Sequence, residues 1–446
     1  MTRILIKNAK IVNEMMVFES DILIKDKLIY KIENNIKAHA GDTVIEASGK
    51  YLLPGMIDDQ VHFREPGMPN KGRFITESAA AVAGGITSVM DMPNTSPQTI
   101  TQAAILNKHD LIKGNSHCNY GFYLGATNDN IEDIKSIDTS LICGIKVFMG
   151  ASTGNMLVDN EQTLESIFQH AQTLVATHCE YSPMIDVNET QARERFGNDV
   201  PISQHPLIRS REACIKSTKT AIRLAQKHQA KLHVLHISTS EEVALFQQLP
   251  LHQKNITAEA CVHFTWFDDR DYAQLGTLIK CNPAIKQSSD KRAIIDGINY
   301  GNLDIIATDH APHTWDEKNN KYFKAPSGLP LVQTALASLL TQVNQGKFEI
   351  EKIVQKTAHN VADLFKVNKR GYIKEGYYAD LVLVDMNKTH IIHNKDMLYQ
   401  CGWTPYDGYQ FSAMIDATWV NGELKWHKGK LIGTANGKRL LYRDTL

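Results

Sequence analysis

The stretch LPGMIDDQVHFREPG, Leu53 to Gly67, runs from an apolar approach into a crowd of polar groups and then a Pro-Gly turn. Asp58, Asp59, Gln60, His62, Arg64 and Glu65 follow one another here. If the approach is a buried strand, its side chains alternate, so Asp58, Gln60, His62 and Arg64 share one face. An amide, an imidazole and a guanidinium on one buried face are costly unless something binds there. The alternative is a polar strand end that turns into solvent.

Outward from this stretch, the texture differs between the ends and the middle of the chain. Residues 3–9, 20–25 and 27–33 read as short strands of a meander, and 379–385, 414–420 and 423–426 as strands, with Asn421-Gly422 as a hairpin signal. Both ends together predict one small β module, residues 1–53 plus 366–446. Between them, residues 54–365, eight apolar segments stand out: 52–57, 86–91, 119–125, 144–149, 173–177, 231–237, 255–261 and 304–308. Helical stretches separate them, clearest at Thr76–Val82, Gln162–Gln172, Ser210–Gln229, Ser240–Gln248, Asp290–Ile298 and Leu331–Asn344. The alternation predicts an α/β fold, a (β/α)8 TIM barrel carrying a β-sandwich built from both termini. A doubly wound open sheet is the other arrangement, but no GxGxxG follows an early strand.

In a parallel barrel all strand ends meet at one mouth. After the first strand come His62 and Arg64, and after the second Pro93-Asn94. The fourth carries Lys146, the fifth ends in His178 and the sixth in His236. His263 follows the seventh, and Asp309, His310 and His313 follow the eighth. His62, His178, His236 and Asp309 make up the nitrogen and carboxylate set that zinc prefers. Otherwise each of the four needs its own hydrogen-bond partner in the core.

Lys146 sits in the apolar strand GIKVFMG, where a lone ammonium is expensive to bury. It either snorkels to the surface or has reacted with carbon dioxide to give a carbamate, an anion able to bridge two metal ions. With metal in place, water would serve as nucleophile near neutral pH and Asp309 would move its proton to a leaving nitrogen. Such a site would break or form a C–N bond at a carbonyl carbon.

Composition narrows the partners. The formal net charge is −1 over 446 residues, with 43% hydrophobic and 22% charged residues. That balance offers no electrostatic case for nucleic acid or an anionic membrane, and leaves a small-molecule substrate. No apolar run reaches the roughly 18 residues of a membrane span, and the N-terminal MTRILIKNAKIVNE does not read as a signal peptide. Seven cysteines without a CxxC argue for reduced thiols and a cytoplasmic protein. Cys179, beside His178, is expected to pack.

At this point PGMIDDQVHFREPG, AGGITSVMDMPNT, GIKVFMGAS, THCE, HVLHIST, KCNPAIK, ATDHAPH and GYIKEGYYADLVLVD together resemble the dihydroorotases of the amidohydrolase superfamily. These pyrimidine-pathway enzymes interconvert N-carbamoyl-L-aspartate and L-dihydroorotate. The resemblance runs from about residue 50 to 385 in the family's order and implies the same barrel and module. It implies that His62 binds one zinc ion and His178 and His236 another, with carboxylated Lys146 between them. Asp309 would be metal ligand and catalytic acid/base. Arg64, Asn94 and His313 would hold the substrate carboxylate, and Asn282 would touch the ring. The loop from Thr314 to Gly328 would close over it. His233 and His263 are candidates to orient the ligands, His310 to bond a neighbour, and Trp403–Gly408 to pack. Relatives are often dimers, so a homodimer is an expected partner.

Hydantoinases and allantoinases act on rings lacking that carboxylate, which would leave Arg64 unpaired. The family's first strand normally carries His-x-His; here it reads Gln60-Val61-His62. Three readings stay open: Gln60 ligates through its oxygen, one ion suffices, or the chain is an inactive partner subunit of aspartate carbamoyltransferase.

Overall fold

The computed structural model describes residues 3–150 and 156–442. The Ala151-Ser152 end of the GIKVFMGAS motif lies outside them, as do the first two and last four positions of the terminal segments. Eight parallel strands line up in chain order: Met56–Val61, Ile86–Asp91, Asn119–Gly125, Gly144–Phe148, Val175–His178, Leu232–Val234, Ile256–Cys261 and Ile305–Ala307. The first and eighth strands meet through His62 N, which donates to His310 O at 2.7 Å, and through Thr308 N, which donates to Asp58 Oδ1 at 3.1 Å. The result is a nearly closed TIM barrel, as the strand–helix alternation predicts.

Alternation sorts each strand's side chains. In Gly144–Phe148, Ile145 and Val147 pack outward with the helices, while Lys146 and Phe148 reach the mouth of the barrel. The lower interior holds an apolar cluster of Ile57, Met90, Tyr123, Ala176, Ile305 and Phe365, beside the buried polar side chains of Asp59, His233 and Glu259. A polar group at the mouth is therefore held on a rigid, dry base.

The terminal sheet has nine strands. Its path runs through Lys430–Leu431, Glu423–His427, Met414–Val420, Leu381–Asp385, Tyr51–Pro54, Arg3–Asn13, Met16–Lys25 and Leu28–Glu33, with Thr43–Glu46 beside Arg3–Asn13. Ile6, Ile22, Ile24, Leu52, Leu381, Leu383 and Trp419 form its own core, so both chain ends contribute to this terminal β-sandwich. The Asn421-Gly422 turn has φ of +52° and +76°, the two left-handed residues of a tight hairpin. A Cβ at Gly422 would fall 2.0 Å from Asp26 O.

Two local expectations need correction. The apolar run 52–57 is not one barrel strand: Tyr51–Pro54 pairs in the terminal sheet, and the barrel strand starts at Met56. Gly55 N donates to Asp380 O at 2.8 Å, and this joint separates the two sheets. The helix expected over Ser240–Gln248 is only Ser240–Val243.

Candidate active site

A pocket of about 330 Å³ opens at the carboxyl ends of the barrel strands. Gln60, His62, Arg64, Asn94, Lys146, His178, His236, Asn282, Asp309 and His313 all line it, together with Pro326, Ser327 and Gly328 from the loop after the eighth strand. Every residue singled out as ligand, acid/base or substrate contact thus comes to one cavity. Asp58 does not: its carboxylate turns away and accepts from Thr308 N (3.1 Å) and Thr308 Oγ1 (2.6 Å). Pairing between the first two strands is irregular between Asp58 and Val61, which breaks the simple alternation.

Three of the lining residues have left-handed backbone: Arg64 (φ +67°), His236 (φ +40°) and Asp309 (φ +50°). Non-glycine residues rarely hold this conformation, and it collects where a fold gives up stability to aim a side chain.

The imidazoles are oriented from behind. His62 Nδ1 lies 2.8 Å from Asn94 Oδ1, and its Nε2 is 3.2 Å from Asp309 Oδ1. Gln60 Nε2 donates to that same Asp309 oxygen at 3.1 Å. Burial alone would raise the Asp309 carboxyl. The hydrogen bond with His62 and the charges of His62, His236 and His263 more than offset this and bring it down to about 2. His178 Nε2 meets Glu180 Oε2 at 2.9 Å, a carboxylate–imidazole pairing that fixes the ring. Its Nδ1 faces His236 Nε2 at 2.9 Å, and His236 Nδ1 has no hydrogen-bond partner. The two buried imidazoles thus meet nitrogen to nitrogen in one hydrogen bond, and burial holds both below the usual histidine range.

Lys146 is 1% exposed. Among the described residues its Nζ has no hydrogen bond or ion pair, only the Phe148 ring with its centroid 4.6 Å away. Burial lowers the amine to about 8, against the pull of Asp309 and Glu259. Arg64 is also buried: Nε donates to Pro312 O (3.1 Å) and Nη2 lies 3.1 Å from His313 Nε2, with no carboxylate bonded to it among the described residues. Burial lowers the guanidinium to about 10. Asn282 Oδ1 is a third group without a partner. A metal set of His62, His178, His236, Asp309 and a modified Lys146 fits these donors in kind, because imidazole nitrogens and a carboxylate converge on one pocket and bond to one another.

Sequence reasoning missed several contributors. Phe148 and Arg209 line the pocket, and Arg209 Nη1 donates to Glu180 Oε2 at 2.8 Å. Lys71 Nζ lies 3.1 Å from His313 Nδ1 and 3.0 Å from Glu317 Oε1. Glu180 stands in the THCE motif and Phe148 in GIKVFMGAS, so these two carry a local signal. Arg209 and Lys71 are placed by loops, and nothing in their neighbourhood of sequence marks them.

The loop after the eighth strand is clasped over the pocket by two buried lysines. Lys318 Nζ donates to Lys280 O (2.8 Å) and Pro326 O (3.0 Å), and Lys280 Nζ to Tyr322 O (2.6 Å) and Ala325 O (2.7 Å). A side chain at Gly328, φ +142°, would meet Ala311 O at 2.4 Å, so only glycine lets this backbone pass. His310 bonds Glu77 Oε2 at 2.6 Å, and Trp403 Nε1 donates to His313 O at 2.8 Å. Both play the supporting parts expected of them. All seven cysteines are free, and Cys179 is buried.

Comparison with known proteins agrees with this geometry. The amidohydrolase family model matches residues 51–425. A dihydroorotase of Methanosphaera stadtmanae is 30% identical over 92% of this chain and 93% of its own. An allantoinase of Desulfitobacterium hafniense is 29% identical over 98% of both. The L-hydantoinase of Arthrobacter aurescens superposes with a TM-score of 0.93 at 24% identity, covering 99% of this chain and all of its own. No helix among the described residues is long and apolar enough to cross a membrane. The chain belongs to the amidohydrolase family and is a cyclic amidohydrolase.

Proposed function

We propose that this enzyme is a dihydroorotase, reversibly interconverting L-dihydroorotate and N-carbamoyl-L-aspartate. The observation that carries the reading is Arg64: a buried guanidinium lines the pocket with no carboxylate bonded to it, beside His313 and Lys71. A charge so placed is costly until an anion arrives, and a substrate carboxylate matches its fork. Hydantoin and allantoin rings lack that group. Asn282 Oδ1, also unsatisfied, fits a ring N–H.

His62 would hold one zinc ion, His178 and His236 the other, and Lys146 as a carbamate would lie between them. Burial assists that modification, because it favours the neutral amine that attacks carbon dioxide and penalises the ammonium it replaces. Zinc bound by this set supplies Lewis acidity toward the ring carbonyl and toward water. Asp309 takes the proton of the attacking water and delivers it to the ring nitrogen as the C–N bond breaks; in the reverse direction it returns the proton. Arg64, Asn94 and His313 hold the carboxylate meanwhile. The loop from Thr314 to Gly328 limits access of bulk water.

Gln60 supports a second reading. Its amide nitrogen is already committed to Asp309, and the position lacks the imidazole of the family pattern. A silent partner of aspartate carbamoyltransferase would show no turnover and a stable complex. The deciding experiment follows cleavage of dihydroorotate, hydantoin and allantoin by the full chain, with and without added zinc. Dihydroorotate turnover that falls in Arg64→Met supports the proposal; turnover of hydantoin alone, or of nothing, defeats it.

A further inference from the structure

We infer that the barrel encloses a cation site of its own, separate from the pocket, in which Asp59, His233 and Glu259 hold one divalent ion of the zinc class. These three side chains come from the first, sixth and seventh strands and are fully buried. None of them lines the pocket. Their ligating atoms lie within 4.8 Å of one another, a compactness found in no other trio of histidine, cysteine or acidic residues among the described residues.

The second observation is what these atoms lack. Both carboxylate oxygens of Asp59, Nε2 of His233 and Oε2 of Glu259 have no hydrogen-bond partner. Buried polar atoms are almost always satisfied, so four orphans facing one another mark an absent ligand. The rest of each group is engaged. Thr257 Oγ1 donates to Leu232 O (3.2 Å) and so accepts from His233 Nδ1–H (2.7 Å), which turns the Nε2 lone pair toward the two carboxylates. Glu259 Oε1 accepts from His236 N at 3.0 Å and from Cys261 Sγ at 3.3 Å, leaving Oε2 to face inward.

Burial lowers the His233 imidazole, but without an ion the two carboxylates more than offset this and raise it to about 9. The spacing favours a metal over a shared proton as the missing partner. His233 Nε2 is 3.4 Å from Asp59 Oδ2 and 3.9 Å from Glu259 Oε2. A proton shared with a carboxylate would draw the pair to about 2.7–2.9 Å. Donors arranged tetrahedrally on zinc stand about 3.4 Å apart, given bonds of about 2.1 Å. Two carboxylates and a neutral imidazole also cancel a double positive charge and supply three ligand atoms, one from each residue. An ion here would tie the first strand to the sixth and seventh across the barrel, under His236.

The test uses the full chain purified from zinc-supplemented culture. Anomalous diffraction at the zinc edge should show a peak within about 2.0–2.3 Å of His233 Nε2 and of both carboxylates. No peak there, with His233 and Asp59 drawn into a short hydrogen bond, overturns the inference. Metal counted per chain should fall by one in Asp59→Asn and in His233→Gln, and one ion should remain in the Lys146→Ala/His178→Ala double variant. An unchanged count in the first two, or none left in the double variant, also overturns it. The diffraction measurement needs no variant, so poor folding of a substituted chain cannot shelter the inference.

Discussion

The frame of the barrel and its mouth use the same residue types under opposite conditions. Lys108, in the frame, is buried and its Nζ sits 2.5 Å from Asp91 Oδ2. Lys146, at the mouth, is as deeply buried and, among the described residues, has no hydrogen bond or ion pair. Arg370 is buried against Asp380, and Arg64 has no acid bonded to it among the described residues. His310 has Glu77 on one nitrogen and accepts from Leu331 N on the other, and His236 Nδ1 is bare. Burial alone therefore does not mark function in this molecule. What distinguishes the mouth is several buried ionisable groups without an opposite charge bonded to them, gathered on one cavity, whereas unmet buried atoms such as Trp419 Nε1 and Ser217 Oγ are scattered and neutral.

The contrast breaks most sharply at Asp309. Asp309→Asn should cut kcat for dihydroorotate by roughly 10²–10⁴-fold, the span of a positioned acid/base, while the melting temperature stays close to that of the parent. A fall of only a few-fold would remove Asp309 from the proton path. In the frame, Lys108→Met strands the Asp91 carboxylate and should lower unfolding free energy by about 3–5 kcal/mol in a denaturant titration, leaving activity per folded molecule unchanged. Arg64→Met should do the reverse. It should lose about 10²–10³-fold in kcat/KM toward dihydroorotate with stability held, and hydantoin hydrolysis, if measurable, should not change.

Lys146 sharpens the comparison through pH. Its folded amine titrates near 8, against 10.5 for an unperturbed lysine. The unfolded chain binds the extra proton between those values, so stability rises with pH across that window. Below pH 8 the charged amine costs the fold, and Lys146→Met should be about 2–3 kcal/mol more stable than the metal-free, carbonate-free parent. That advantage should fade toward pH 10.5. The same variant should bind less zinc and turn over nothing. The smallest expected effect is Asn282→Ala, a rise in KM of up to about tenfold, equivalent to one lost hydrogen bond.

Much of this was legible in the chain because strand ends in a parallel barrel announce themselves. An apolar run that stops at His178, or at Asp309, points its last side chains to one rim whatever the helices between do. The boundary at Gly55 was hidden, since Tyr51 to Ile57 is apolar throughout and only the pairing partners distinguish its two halves. Asp58 misled for a related reason: local strand irregularity turned it toward Thr308, and alternation cannot foresee that. Arg209 and Lys71 reach the site from loops through tertiary contacts alone. Gln60 was visible as a departure. That its amide would bond the Asp309 carboxylate was not.

The most direct test of the central claim is the ratio of kcat/KM for dihydroorotate to that for hydantoin, measured on the zinc-loaded full chain and on Arg64→Met. A ratio strongly favouring dihydroorotate in the parent and collapsing in the variant would show that the bare guanidinium waits for the substrate carboxylate. Equal ratios in the two proteins, or a parent that prefers hydantoin, would contradict it.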